Sequence, residues 1–81
     1  MITVAVSGAL GRMGREVVAA VQAEADLRLV AQIDKGDNLA DVLASAQPMA
    51  LVDFSVPDSV LANIETALAN GVVPIVGTTG L

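Results

Sequence analysis

Three glycines, Gly8, Gly11 and Gly14, stand three residues apart directly after the apolar run Ile2–Val6, and a helical pattern follows them. A strand that turns at once into a helix needs a residue tolerant of unusual dihedrals at the reversal, and Gly8 supplies it. Gly14 lets the new helix lie close against the strand. Gly11 keeps the helix N-terminus clear of side chains. Free N–H groups and a partial positive charge there favour an anion such as a pyrophosphate. The spacing is G-x-x-G-x-x-G; the commoner G-x-G-x-x-G would put its first glycine at Ala9. A tight turn without a ligand uses the same glycines, so the rest of the chain has to decide.

Ile2–Val6 reads as a buried strand, and the helix after the glycines runs to about Ala25, with Met13, Val17, Ala20, Val21 and Glu24 at helical spacing. Leu27–Ile33 is a second strand. Asn38 caps a short helix carrying Leu39, Val42, Leu43 and Ala46 on one face, and Pro48 closes it. Ala50–Phe54 is a third strand. Pro57 opens a third helix with Val60, Leu61, Ile64 and Leu68 as its apolar stripe, and Asn70-Gly71 stops it. Val72–Val76 is a fourth strand, in which Pro74 is tolerable only near the start. Strand and helix alternate through short connections. The expected class is α/β: a partial doubly wound parallel sheet, four strands in order 3-2-1-4 with three helices.

The 81 residues make one small domain, and 54% are hydrophobic, almost all aliphatic, with Phe54 the single aromatic. Such a composition suits a parallel sheet covered on both faces. Nine acidic against four basic residues give a net charge of −5, which argues against nucleic acid and anionic membranes. Three of those four basic residues, Arg12, Arg15 and Lys35, lie in or near the proposed phosphate region. No apolar run approaches the ~18 residues of a membrane span. A basic leader is not visible, so a cytoplasmic location is the default expectation. The chain has no cysteine, histidine, tyrosine or tryptophan, hence no thiolate metal site and no obvious catalytic group.

Candidate site residues cluster where strands end. Asp34 closes the second strand twenty residues after Gly14, placed to accept hydrogen bonds from the hydroxyls of an adenosine ribose. Lys35 follows and could pair with a 2′-phosphate, so either NADH or NADPH is an acceptable cofactor. Arg12 sits in the first helical turn, where a cation opposes the helix dipole unless it serves a ligand phosphate. Met13 packs inward or walls the pocket. Ser55, after the third strand, could touch a phosphate or amide, and Asp53 could brace neighbouring N–H groups. Gly77, Thr78 and Thr79 follow the fourth strand, which the expected order places beside the first.

Together the segments Val4–Gly14, Asp34, Val52–Pro57 and Val76–Gly80 resemble the 4-hydroxy-tetrahydrodipicolinate reductase (dihydrodipicolinate reductase) family of bacterial lysine and diaminopimelate synthesis. The resemblance covers the whole chain and implies the Rossmann domain of an NAD(P)H-dependent oxidoreductase. It implies that Gly8, Ala9, Leu10, Gly11, Arg12 and Met13 cradle the pyrophosphate and approach the nicotinamide. It gives Asp34 the ribose and Lys35 the 2′-phosphate. Gly77, Thr78 and Thr79 would line the nicotinamide ribose and amide, with Thr79 also near substrate. Ser55 stands where members often carry threonine. A dicarboxylate substrate and a homo-oligomer, tetrameric in the family, are also implied. The family's substrate domain, with its histidine pair and lysine, follows the Gly-Thr-Thr-Gly loop, so residues 1–81 are expected to be the cofactor-holding part, without catalytic residues and inactive alone. Two other readings are an extended short-chain epimerase or dehydratase, which needs a tyrosine–lysine pair, and a non-catalytic nucleotide-binding module that self-associates through an open sheet edge.

Overall fold

A computed structural model describes residues 1–77 of the chain. Seven elements follow one another: β1 (Ile2–Ser7), α1 (Arg12–Ala23), β2 (Leu27–Ile33), α2 (Leu39–Ala46), β3 (Ala50–Asp53), α3 (Pro57–Ala69) and β4 (Val73–Val76). All strand pairs are parallel. The local signals hold. Asn38 Oδ1 accepts from the Asp41 amide at 3.0 Å and starts α2. Pro57 occupies the first turn of α3, and Gly71 takes φ +72° after its end.

The strand order is β2-β1-β3-β4, so the expected order 3-2-1-4 is corrected. β3 lies on the far side of β1 from β2, not beyond β2. Residue chemistry accounts for this. β2 carries Arg28 and Gln32, both exposed, and polar side chains of this kind suit an edge strand. β3 offers Ala50, Leu51 and Val52 between two neighbours, with Leu51 fully buried. Pro74 fits at the other edge. Val73 and Gly77 donate their N–H groups to the carbonyls of Met49, just before β3, and Asp53, at its end, so the intervening Pro74 nitrogen faces away from β3.

Two apolar layers sandwich the sheet. Val4, Val6, Ala9 and Val21 form one, with Val17, Val18, Leu27 and Leu29 packed around them under α1. Ala5, Ile33, Leu43, Leu51, Ala67 and Val72 form the other, under α2 and α3. β2 serves both layers through a bulge. Val4 pairs with Leu29 but Ala5 pairs with Ala31, leaving Val30 as the extra residue. One extra residue reverses the side-chain alternation. Leu27 and Leu29 therefore reach the α1 layer, while Ala31 and Ile33 reach the opposite one.

Two helical stripes differ from expectation. α1 ends at Ala23, and Met13 and Ala20 are exposed, whereas Gly14 and Val21 are buried. α3 buries Val60 and Ala67 with Asn63 and Ile64 half-buried, while Leu61 and Leu68 are 68% and 62% exposed. The buried line runs through Gly14 and Val21 in α1 and through Val60 and Ala67 in α3, and Met13, Leu61 and Leu68 lie off it.

Candidate functional site

The carboxyl end of the sheet opens into a cleft of about 340 Å³ between the β1–α1 turn, the β2–α2 turn and the start of α3. Gly8, Gly11, Asp34, Lys35, Ser55 and Asn63 are among its lining residues. Gly8 has φ +76°, and a Cβ there would stand 2.7 Å from the Phe54 carbonyl carbon. Gly14 is buried, and a Cβ on it would meet the Gly8 carbonyl oxygen at 2.0 Å. Both glycines are required by the turn itself. Gly11 differs: it is the exposed N-cap of α1, and among the described residues a Cβ on it would meet just the Gly8 oxygen, at an ordinary 3.4 Å.

The amides of the turn are divided between two uses. Gly8 and Ala9 donate to the Ile33 carbonyl at 2.8 and 3.1 Å, and Gly11 donates to Gly8 at 3.1 Å. Leu10 donates to Asp34 Oδ2 at 2.8 Å. α1 has no side-chain cap and no acidic residue in its first turn. The first-turn amides of Arg12, Met13 and Gly14 thus lack helical partners and keep their positive field toward the cleft mouth.

Asp34 holds two turns together. Its Oδ1 accepts from the Lys35 amide at 2.8 Å while Oδ2 holds Leu10, and the Asp34 amide itself donates to Asp37 Oδ2 at 3.0 Å. The Lys35 amide bond, then the Leu10 bond, lower its carboxyl below the ordinary carboxylate value, and the Lys35 charge adds to this. Deep to the cleft, Asp53 is 1% exposed. Its Oδ1 accepts from the Ser55 amide at 2.9 Å and its Oδ2 from Asn63 Nδ2 at 3.1 Å. The expectation that Asp53 braces neighbouring N–H groups matches this geometry.

The structure brings Gly8, Gly11, Asp34, Lys35 and Ser55 to one cleft. Ala9 is 2% exposed, and its side chain belongs to the α1 core layer. Leu10 and Met13 are 63% and 53% exposed, so Met13 does not pack inward. Arg12 is exposed at the start of α1. Gly77 follows β4, and a Cβ there would meet the Phe54 ring at 2.1 Å. Because β4 pairs with β3, Gly77 does not adjoin β1 as expected. Thr78 and Thr79 lie outside the described residues. Asp37 and Asn63, both lining the cleft, were not singled out from sequence. The signal for Asn63 is a polar residue set between Val60 and Ala67 on the inward line of α3. Among the described residues no group of three or more potential ligands could hold a metal, and no helix is long and apolar enough to cross a membrane.

Residues 2–81 match the family described as "Dihydrodipicolinate reductase, N-terminus". The chain belongs to the dihydrodipicolinate reductase family. The 4-hydroxy-tetrahydrodipicolinate reductase of Corynebacterium diphtheriae is 49% identical over 79 residues, covering 98% of this chain and 32% of the relative. The enzyme of the same name from Mycobacterium ulcerans is 44% identical over 77 residues, covering 95% and 31%. The dipicolinate-bound dihydrodipicolinate reductase of Paenisporosarcina sp. TG-14 superposes with a TM-score of 0.88 at 26% identity, covering 100% of this chain and 38% of that one. The chain thus spans about a third of the dihydrodipicolinate reductases it matches. It corresponds to their N-terminal, NAD(P)H-binding domain, with a Rossmann-like α/β fold. The short-chain epimerase reading is not favoured.

Proposed function

We propose that residues 1–81 hold NAD(P)H for the reduction of 4-hydroxy-tetrahydrodipicolinate to tetrahydrodipicolinate. Gly11 carries this reading. It is a glycine that neither backbone strain nor packing demands, standing at the cleft mouth where a side chain would block approach to the first amides of α1. A pyrophosphate there meets N–H groups and the helix field with nothing in between. Asp34 takes the adenosine ribose with the lone pairs left by Leu10 and Lys35. The cleft volume, at the small end for ligand sites, suits one nucleoside half better than a whole dinucleotide.

NAD(P)H supplies the hydride, and this chain's residues bind and orient it. Arg12 faces the pyrophosphate and Met13 the nicotinamide side. Ser55 contributes a hydroxyl at the cleft wall, and Gly77, Thr78 and Thr79 line the nicotinamide ribose and amide, with Thr79 also toward substrate. The Corynebacterium and Mycobacterium names support the substrate, and the Paenisporosarcina complex shows that a solved relative binds dipicolinate, a cyclic dicarboxylate. Proton delivery and the remaining substrate contacts belong to the part of the relatives that this chain does not span, in a cytoplasmic homo-oligomer.

Titration of the folded chain with NADH and NADPH tests the reading, followed by amide shifts at Gly8–Gly14 and Asp34. Saturable shifts at these residues are expected; a folded chain that binds neither cofactor overturns it. Lys35→Ala should weaken NADPH more than NADH, since Asp34 beside it repels a 2′-phosphate. Equal losses would remove Lys35 from the site.

A further inference from the structure

Asn63 stands on the line of α3 that faces the sheet, one turn after the buried Val60 and one before the buried Ala67. Its amide nitrogen donates to Asp53 Oδ2 at 3.1 Å and to Ser55 Oγ at 2.9 Å. Asp53 in turn receives the Ser55 amide on its other oxygen at 2.9 Å. The three residues close a triangle between the end of β3 and α3. A carboxylate only accepts, so the amide nitrogen of Asn63 has to face it. Satisfying the buried Asp53 would need only one of the two amide hydrogens. The second goes to the Ser55 hydroxyl at the cleft wall and directs that hydroxyl's own hydrogen away from Asn63.

The segment between these anchors rests on the first glycine. Phe54 receives no room from Gly8, where a Cβ would stand 2.7 Å from the Phe54 carbonyl carbon, and the Phe54 amide donates to Ser7 at 2.9 Å. Gly8 thus fixes Asp53–Ser55 from the β1 side and Asn63 fixes it from the α3 side. We propose that Asn63 is a positioning residue for the cofactor: held by Asp53, it sets the place and hydrogen polarity of Ser55 at the nucleotide cleft. The proposal rests on the nucleotide reading above.

The test is a double-mutant cycle in NADH affinity on the full chain, comprising the unmutated protein, Ser55→Ala, Asn63→Ala and the double variant, with thermal midpoints beside each. Loss of the Asn63 donors should raise the NADH Kd about tenfold. If Asn63 acts through Ser55, the double variant loses no more than the worse single one. A purely structural Asn63 would leave Ser55→Ala with its full effect in either background, and that additivity overturns the proposal. Asn63→Asp is an isosteric second variant in case Asn63→Ala does not fold. It sets an acceptor-only side chain against Asp53 and leaves no hydrogen for Ser55, so NADH affinity at pH 8 should fall at least as far as in Asn63→Ala. Affinity equal to the unmutated chain at pH 8 overturns the proposal and leaves the nucleotide reading intact. Failure of the folded, unmutated chain to bind NADH overturns both.

Discussion

Gly14→Ala isolates how closely α1 must lie on the glycine turn. The added Cβ would stand 2.0 Å from the Gly8 oxygen, 2.8 Å from the Gly8 carbonyl carbon and 2.9 Å from Ala9 Cα. All three are backbone atoms, so no side chain can rotate aside. Relief requires α1 to back away from β1 by more than an ångström, which loosens Val17, Val18 and Val21 against Val4 and Val6. Overpacking of this kind costs about 1–3 kcal/mol and sometimes more. The helix preference of alanine over glycine returns up to about 1 kcal/mol. A net loss of about 2 kcal/mol is a large share of the ~4–12 kcal/mol a chain of this size commands. At roughly 4–8 °C per kcal/mol, the thermal midpoint should fall by about 8–16 °C. Circular dichroism melts of the variant beside the parent read this directly. A midpoint at or above that of the parent would refute the close-packing argument, because it would mean that the helix gain outweighs the clash.

Gly11→Ala should do the opposite: its Cβ meets only an ordinary contact, so the melt should stay within a few degrees while NADH affinity falls, and unchanged affinity by calorimetry would count against Gly11 as a ligand-clearance residue. Asp34 has its carboxyl lowered by the Lys35 and Leu10 amide bonds. The stability it contributes is therefore present above the unfolded carboxyl value and lost as pH falls through the lower folded one. The Leu10 and Lys35 amide signals should move with that acid titration, and Asp34→Ala should abolish the movement; a titration that persists in the variant assigns it elsewhere. Gln47, at φ +47° after α2, pays a left-handed backbone penalty, so Gln47→Gly should raise stability by about 0.5–1 kcal/mol in urea unfolding. A loss instead would mean that the Gln47 side chain has a packing role.

Local structure was legible because it rests on near neighbours in the chain. Asn38, Pro57 and Gly71 punctuate helices through their own backbone chemistry, and the structure places all three as read. The convergence of Gly8, Gly11 and Asp34 was equally accessible, since a strand end fixes where the next residues emerge. Leu61 and Leu68 misled the reading of α3. Their hydrophobicity suggested burial, but the helix meets the sheet through Val60 and Ala67, where Asn63 has to face Asp53. A polar residue on an apolar line can be recognised from sequence; its partner in another element, at the end of β3, cannot. The bulge at Val30 is likewise a pairing property, invisible in Leu27–Ile33 taken alone.

Strand order had the largest consequence for the site. Short right-handed crossovers are compatible with either side of β1, so helix and strand signals alone did not separate 3-2-1-4 from the observed order. With β3 beside β1, the order in which strands are added to the sheet reverses there, and ligands in open α/β sheets bind in the crevice at such a reversal. The segment facing Gly8 is therefore the one around Phe54 and Ser55. This is why Phe54 rests on Gly8, why Ser55 lines the same cleft as Gly11, and why Asn63 can reach Ser55 from α3. Gly77 enters one strand further out, through the Phe54 ring it packs against. The glycine turn alone offers a phosphate its amides, but the wall opposite it is set by which strand lies next to β1.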